Sequence, residues 1–139
     1  MKTIVVGYDE SEPAKRALAR AAELAVAFDA KVIVTSVAQL LVGASAARGL
    51  GPIDPIDPPE LHREELSHAK AYLSEHGVEA EFAVSLGDAA TEILELAESR
   101  GADLIVVGTR EAGLLERLIA PSVSGAVQRR SHCDVLIVH

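Results

Sequence analysis

At 139 residues the chain has the length of one domain, enough to bury about two-thirds of its unfolded surface without a disulfide or metal staple. Its single cysteine, Cys133, excludes an intrachain disulfide and points to a reducing compartment. Thirteen basic against 21 acidic side chains give a net charge of −8, and the only aromatics are Tyr8, Phe28, Tyr72 and Phe82, which argues against nucleic acid as a partner.

The start, Met1 and Lys2 followed by a short apolar run to Gly7, lacks a signal-peptide core, and no apolar run nears the roughly 20 residues that span a bilayer. A soluble, cytoplasmic protein without a membrane partner is expected. The first run, Ile4 to Val6, is too short for a helix and unbroken by polar alternation, as suits a parallel strand covered on both faces. A helix is predicted over 12–29, with Ala14, Ala17, Leu18, Ala21, Leu24, Ala25 and Phe28 as its apolar stripe, Ser11 as cap and Pro13 near the start.

Val32 to Val34 reads as the second buried strand. The stretch 39–59 is rich in Ala, Gly and Pro and reads as a long surface loop, or as a lid over a binding crevice. A more polar helix follows over 60–76, striped by Leu61, Leu66, Ala69, Tyr72 and Leu73 and ended by Gly77. Val78 to Leu86 alternates apolar and polar residues, the mark of a half-exposed edge strand. Asp88 is placed to cap a helix to Arg100 that Gly101 stops. Leu104 to Val107 is a fourth strand, Val123 to Arg130 a last helix capped by Ser122, and Val135 to Val138 a fifth strand.

Strands that alternate with helices in this way imply an open α/β sheet, all parallel, with right-handed crossovers and helices on both faces. The expected strand order is 3-2-1-4-5. The winding then reverses between the first and fourth strands, and ligands of such sheets settle at the carboxyl ends beside that reversal. Here those ends are Gly7-Tyr8-Asp9 and Gly108-Thr109-Arg110. The last 31 residues carry four basic and three acidic side chains on an otherwise acidic chain, which suits a small anion or an ordinary solvated helix ending in Arg129 and Arg130.

Familiar catalytic motifs are missing. No P-loop pattern occurs, and Gly49-Leu50-Gly51 runs into Pro52 rather than into a helix, so it is no dinucleotide fingerprint. A flavodoxin would carry a hydroxyl-rich phosphate loop after the first strand, where Glu10, Ser11, Glu12 and Pro13 stand; a phosphoacceptor receiver would carry a lysine after the last strand, where His139 stands. The five histidines, at 62, 68, 76, 132 and 139, never fall four apart, so no metal site is expected. Surface histidines and a buried structural Cys133 are expected instead, with Ser122 and Ser124 as capping residues rather than nucleophiles.

Three segments, IVVGYDESEPAKRAL at 4–18, GDAATEILELAESRGADLIVVGTR at 87–110 and GTREAGLLERLIAPSVSGAVQRRSHCDVLIV at 108–138, resemble the universal stress protein family along nearly the whole chain. The resemblance implies a Rossmann-like domain of the adenine nucleotide alpha hydrolase type, commonly a homodimer, with one branch that binds ATP and one that does not. The ATP branch is marked by glycine, two residues, glycine, nine residues, then glycine and Ser or Thr. On that pattern Gly108 matches the first glycine and Ser122 the hydroxyl residue, while Glu111 and Pro121 replace the other two glycines. By the same resemblance Asp9 and Val37 border adenine and ribose, and Val123 and Ser124 complete the helix start; Arg110, Gly113 and the positive amino end of the last helix near Ser122 are on physical grounds able to hold one anion.

The two replacements act against a triphosphate. A carboxylate such as Glu111 placed 4 Å from phosphate costs about 1 kcal/mol in water and about 4 kcal/mol at an effective dielectric of 20. Pro121 has no N–H, which removes about 1.5–3 kcal/mol wherever that group would meet phosphate. Together they weaken binding by about a hundredfold to ten-thousandfold. The chain is therefore expected to be a non-enzymatic, homodimeric stress or regulatory protein that requires no cofactor and binds ATP weakly or not at all. The alternative is a member that binds ATP or AMP with Mg and hydrolyses ATP slowly.

The edges of the expected sheet differ. The third strand is guarded by Glu79 and Glu81, whereas Val135, Leu136, Ile137 and Val138 of the fifth are unguarded and followed only by His139. That edge is expected to pair with a second copy across a two-fold axis.

Overall fold

A computed structural model describes residues 1–38, 59–109 and 123–139. Among the described residues nine elements alternate between strand and helix. They are β1 (Thr3–Gly7), α1 (Glu12–Phe28), β2 (Lys31–Ala38), α2 (Pro59–Glu75), β3 (Ala80–Leu86), α3 (Ala89–Ser99), β4 (Leu104–Gly108), α4 (Val123–Arg130) and β5 (Asp134–Val138). The sheet is parallel throughout, in the order β3-β2-β1-β4-β5. Each expected element is present and the strand order is the expected one. The 39–59 stretch lies outside the described residues except for Pro59, the first residue of α2.

Local chemistry sets the boundaries. Ser11 is extended, and its hydroxyl accepts the Ala14 N–H at 3.2 Å; a cap of this kind contributes about 1 kcal/mol. Asp88 does the same for α3, accepting both the Thr91 N–H at 3.0 Å and the Thr91 hydroxyl at 2.8 Å, and these bonds hold its carboxyl below the usual range. Beyond α2 and α3 the chain turns at Gly77 and Gly101, both left-handed, at φ 68° and 61°. The turn at Gly77 delays β3 to Ala80, two residues later than the alternation suggests, because the Val78 N–H is occupied by the Leu73 carbonyl.

Two aliphatic layers sandwich the sheet. On one face Ile4, Val6, Val32, Val34 and Val106 meet Ala17, Leu18 and Ala21 of α1 and Leu66, Ala69 and Leu73 of α2. On the other, Val5, Ile33, Ile105 and Val107 meet Ala90, Ile93 and Ala97 of α3 and Val127 of α4. Consecutive strand residues thus serve opposite layers, which is why the runs lack polar alternation. At the β3 edge Glu81 is clamped by Lys31 and Arg100, which lowers its carboxyl pKa, the Lys31 bond contributing most.

Four side chains depart from expectation. Phe28 is 54% exposed: it extends the α1 stripe one turn past Ala25, the last buried residue of the helix. Leu61 is exposed and His62 is 4% exposed, so the buried stripe of α2 runs His62, Leu66, Ala69, Leu73. His62 tolerates burial because Ser36 and Glu65 meet its Nδ1. Cys133 is half-buried rather than buried, with its N–H donated to the Ser131 hydroxyl at 3.1 Å.

Candidate functional site

The carboxyl ends of β1 and β4 part at the winding reversal, and a crevice of about 310 Å³ opens there. This volume is at the low end of the roughly 300–1,000 Å³ usual for small-molecule sites. Five residues singled out from the sequence line it together: Asp9, Val37, Gly108, Val123 and Ser124. The other five, Arg110, Glu111, Gly113, Pro121 and Ser122, lie outside the described residues.

One lip is the turn from β1 into α1. The Tyr8 N–H donates to the Thr35 carbonyl at 2.9 Å, which extends the β1–β2 pairing into the crevice wall. Asp9 is exposed and accepts the Ser11 N–H at 3.0 Å; Glu10 between them is left-handed, at φ 61°, and meets His68 of α2. The Tyr8 phenol is pushed up to about 12, by burial first and then by the carboxylates of Glu10, Glu65 and Asp9. It therefore stays protonated at neutral pH and is no general base.

The opposite lip is the end of β4. Gly108 has an architectural reason for lacking a side chain, because a Cβ there would stand 2.4 Å from the Pro13 carbonyl carbon in the first turn of α1. Gly7 similarly admits Ile93, whose Cδ1 would lie 2.8 Å from an added Cβ. Thr109 donates its N–H to the Val138 carbonyl at 2.8 Å, and its hydroxyl leans on the same oxygen at 3.4 Å.

Val37, Ile93 and Val107 give the crevice hydrocarbon walls, while Ser11, Thr109 and Ser124 supply polar groups. Asp9 is the only charged residue among the described lining residues. A carboxylate beside an apolar slot suits a ring with a neighbouring diol, since an ionised carboxylate accepts hydroxyl protons and repels phosphate. Any phosphate would fall to the amino end of α4, where Val123 and Ser124 begin the helix.

Sequence reasoning placed Tyr8 and Thr109 at the strand ends beside the reversal, and both line the crevice, but it missed Ser11, Thr35 and Ile93. Thr35 had a signal: it stands two residues before Val37 on the same strand, and a period of two places both on one face. Behind the crevice, on the α1 and α2 side, Ser36, His62 and Glu65 form a buried cluster. The Ser36 hydroxyl donates to Glu65 Oε2 at 3.0 Å, so its oxygen receives the Nδ1–H of His62. Burial raises the Glu65 pKa, and the Ser36 bond and His62 oppose that rise.

Comparison with known proteins agrees with this fold. A sequence model of the universal stress protein family matches residues 1–139. The universal stress protein MJ0531 of Methanocaldococcus jannaschii is 35% identical over 99% of this chain and 81% of its own length. Universal stress protein YxiE of Bacillus subtilis is 33% identical over 97% of each chain. Among solved structures, a universal stress protein in complex with cAMP superimposes with a TM-score of 0.74 at 31% identity, over 99% of this chain and 96% of that one. A universal stress protein from Archaeoglobus fulgidus gives 0.76 at 25% identity, over 100% and 99%.

Proposed function

The chain belongs to the universal stress protein family, and we propose that within it the protein is a non-enzymatic regulatory component that binds an adenosine monophosphate in preference to ATP. The observation that carries this reading is the convergence of Asp9, Val37, Gly108, Val123 and Ser124 on one crevice at the winding reversal. Its walls suit a base, Asp9 suits ribose hydroxyls, and the start of α4 suits one phosphate. Glu111 and Pro121, standing where the ATP pattern has glycines, act against the second and third phosphates. A relative solved in complex with cAMP, a single-phosphate ligand, supports the binding of an adenosine monophosphate.

No hydrolytic step is proposed. Tyr8 remains protonated, and Asp9 is engaged in the turn that starts α1. Titration calorimetry with AMP, cAMP and Mg-ATP tests the preference: a monophosphate should bind at least tenfold tighter than ATP, a difference of about 1.4 kcal/mol. Tighter binding of ATP, or steady release of ADP, would overturn it. Replacing Glu111 and Pro121 together by glycine should raise ATP affinity and leave AMP affinity within about threefold, a shift below 1 kcal/mol.

The protein is further proposed to form a homodimer through β5. Among the described residues that strand pairs only with β4, and after Asp134 at its start it presents four half-buried aliphatics, Val135, Leu136, Ile137 and Val138. Analytical ultracentrifugation at micromolar concentration should give twice the mass of one chain. A single-chain mass would exclude the pairing.

A further inference from the structure

β2 carries two consecutive buried hydroxyls, Thr35 and Ser36, 1% and 0% exposed. Ser36 is bonded on the α2 side. The Thr35 hydroxyl faces the other layer and lacks a hydrogen-bond partner among the described residues, although the Thr35 carbonyl is engaged by Tyr8. Buried polar groups are nearly always paired, and an exception calls for an explanation. Valine has the same shape without the unmade bond, and β2 uses valine at 32, 34 and 37. Packing alone therefore gives no reason for threonine at this position.

Thr35 lines the crevice on the same strand face as Val37. We propose that Thr35 is a specificity-determining residue, whose hydroxyl makes the hydrogen bond to the polar edge of a heterocyclic base lodged among Val37, Ile93 and Val107. The inference rests on the nucleotide reading above and adds the group that reads the base. A hydroxyl both donates and accepts, so it can meet a ring nitrogen or an exocyclic amine. It reaches that edge directly, or after one staggered turn about Cα–Cβ that exchanges hydroxyl and methyl.

Phosphate is a poor occupant of this position. It would bring charge among Val37, Ile93 and Val107, and no basic residue lines the described part of the crevice. A neutral base loses far less on leaving water, and its polar edge offers the Thr35 hydroxyl a hydrogen-bond partner. A site with a buried hydrogen-bonding group discriminates strongly against ligands that fail to pair with it.

The test uses the whole chain with Thr35→Val and Thr35→Ser. Without ligand, Thr35→Val should unfold at the same temperature as the parent or higher, because it removes an unpaired buried hydroxyl and keeps the shape. In calorimetry with AMP, Thr35→Val should lose about tenfold in affinity, whereas Thr35→Ser, which keeps the hydroxyl, should stay within about threefold. Unchanged AMP affinity in Thr35→Val would overturn the role of Thr35 and leave the nucleotide reading standing. Clear destabilisation of ligand-free Thr35→Val would also overturn it, since the hydroxyl would then be paired. Failure of the parent protein to bind AMP at about 1 mM, a free energy near −4.1 kcal/mol, would overturn the nucleotide reading itself and this inference with it.

Discussion

Thr35 and Ser36 are neighbours on β2, equally hidden from water, and their hydroxyls meet opposite fates. The Ser36 hydroxyl is engaged by both His62 and Glu65 under α2, whereas that of Thr35 faces the crevice without a hydrogen-bond partner among the described residues. One side of the sheet spends its buried polarity on holding a helix in place. The other leaves a hydroxyl unpaired among the described residues, on a residue that lines the crevice. Burial alone therefore does not distinguish a structural polar group from a functional one; the satisfaction of its hydrogen bonds does.

The largest test of that contrast is His62→Ala. Removing the imidazole opens a hole under α2 and strips one partner from Ser36 and Glu65, so a loss of about 3 kcal/mol is expected from urea unfolding. A loss under about 1 kcal/mol would mean that the cluster holds nothing. Gly108→Ala comes next. Its Cβ would press on the Pro13 carbonyl carbon, and about 2 kcal/mol of overpacking should appear as a lower thermal midpoint. That result would assign Gly108 to architecture, whatever it also does for phosphate.

Ser36→Ala should cost about 1.5 kcal/mol, because it leaves His62 and Glu65 short of a partner, while Thr35→Val beside it should cost nothing. Equal effects at the two positions, read by the same urea titration, would erase the distinction. The smallest effect concerns pH. Burial raises the folded-state pKa of Glu65 against the bond from Ser36 and the charge of His62, with Asp9 and Glu10 adding to the rise. A raised carboxylate favours the folded state at low pH and loses that contribution as pH rises through the folded pKa. Glu65→Gln should therefore gain on the parent at pH 7, and the gap should narrow toward the ordinary Glu value of about 4.3. Urea midpoints at pH 7 and pH 5 give the comparison; a gap that widens on acidification contradicts it.

The elements were legible in the sequence because their signals are local. Ser11 and Asp88 cap as their positions suggest, and Gly77 and Gly101 turn the chain where left-handed backbone is needed. The α2 stripe was misread at one residue because hydropathy prefers Leu61 to His62. The spacing 62, 66, 69, 73 already carried the right answer, and only a partner on another strand makes a histidine acceptable there. Of the site, Asp9, Val37, Gly108, Val123 and Ser124 could be named in advance, from the winding reversal and the family pattern. Neither signal could show that the first turn of α1 crosses the end of β4 closely enough to forbid a side chain at Gly108. Nor could they reveal that the Thr35 hydroxyl lacks a partner among the described residues, since that belongs to the folded surroundings and not to any stretch of sequence.

Thr109, one residue past Gly108, hangs by its N–H and leans by its hydroxyl on the Val138 carbonyl of β5. Arg16, in α1, holds the next carbonyl along, that of His139, at 2.9 Å. The end of β5 thus holds the lip of the crevice through the Val138 oxygen and α1 through the His139 oxygen. The rim of the crevice is therefore built partly by the strand that forms the edge of the sheet, so the placement of Thr109 depends on β5 being in register.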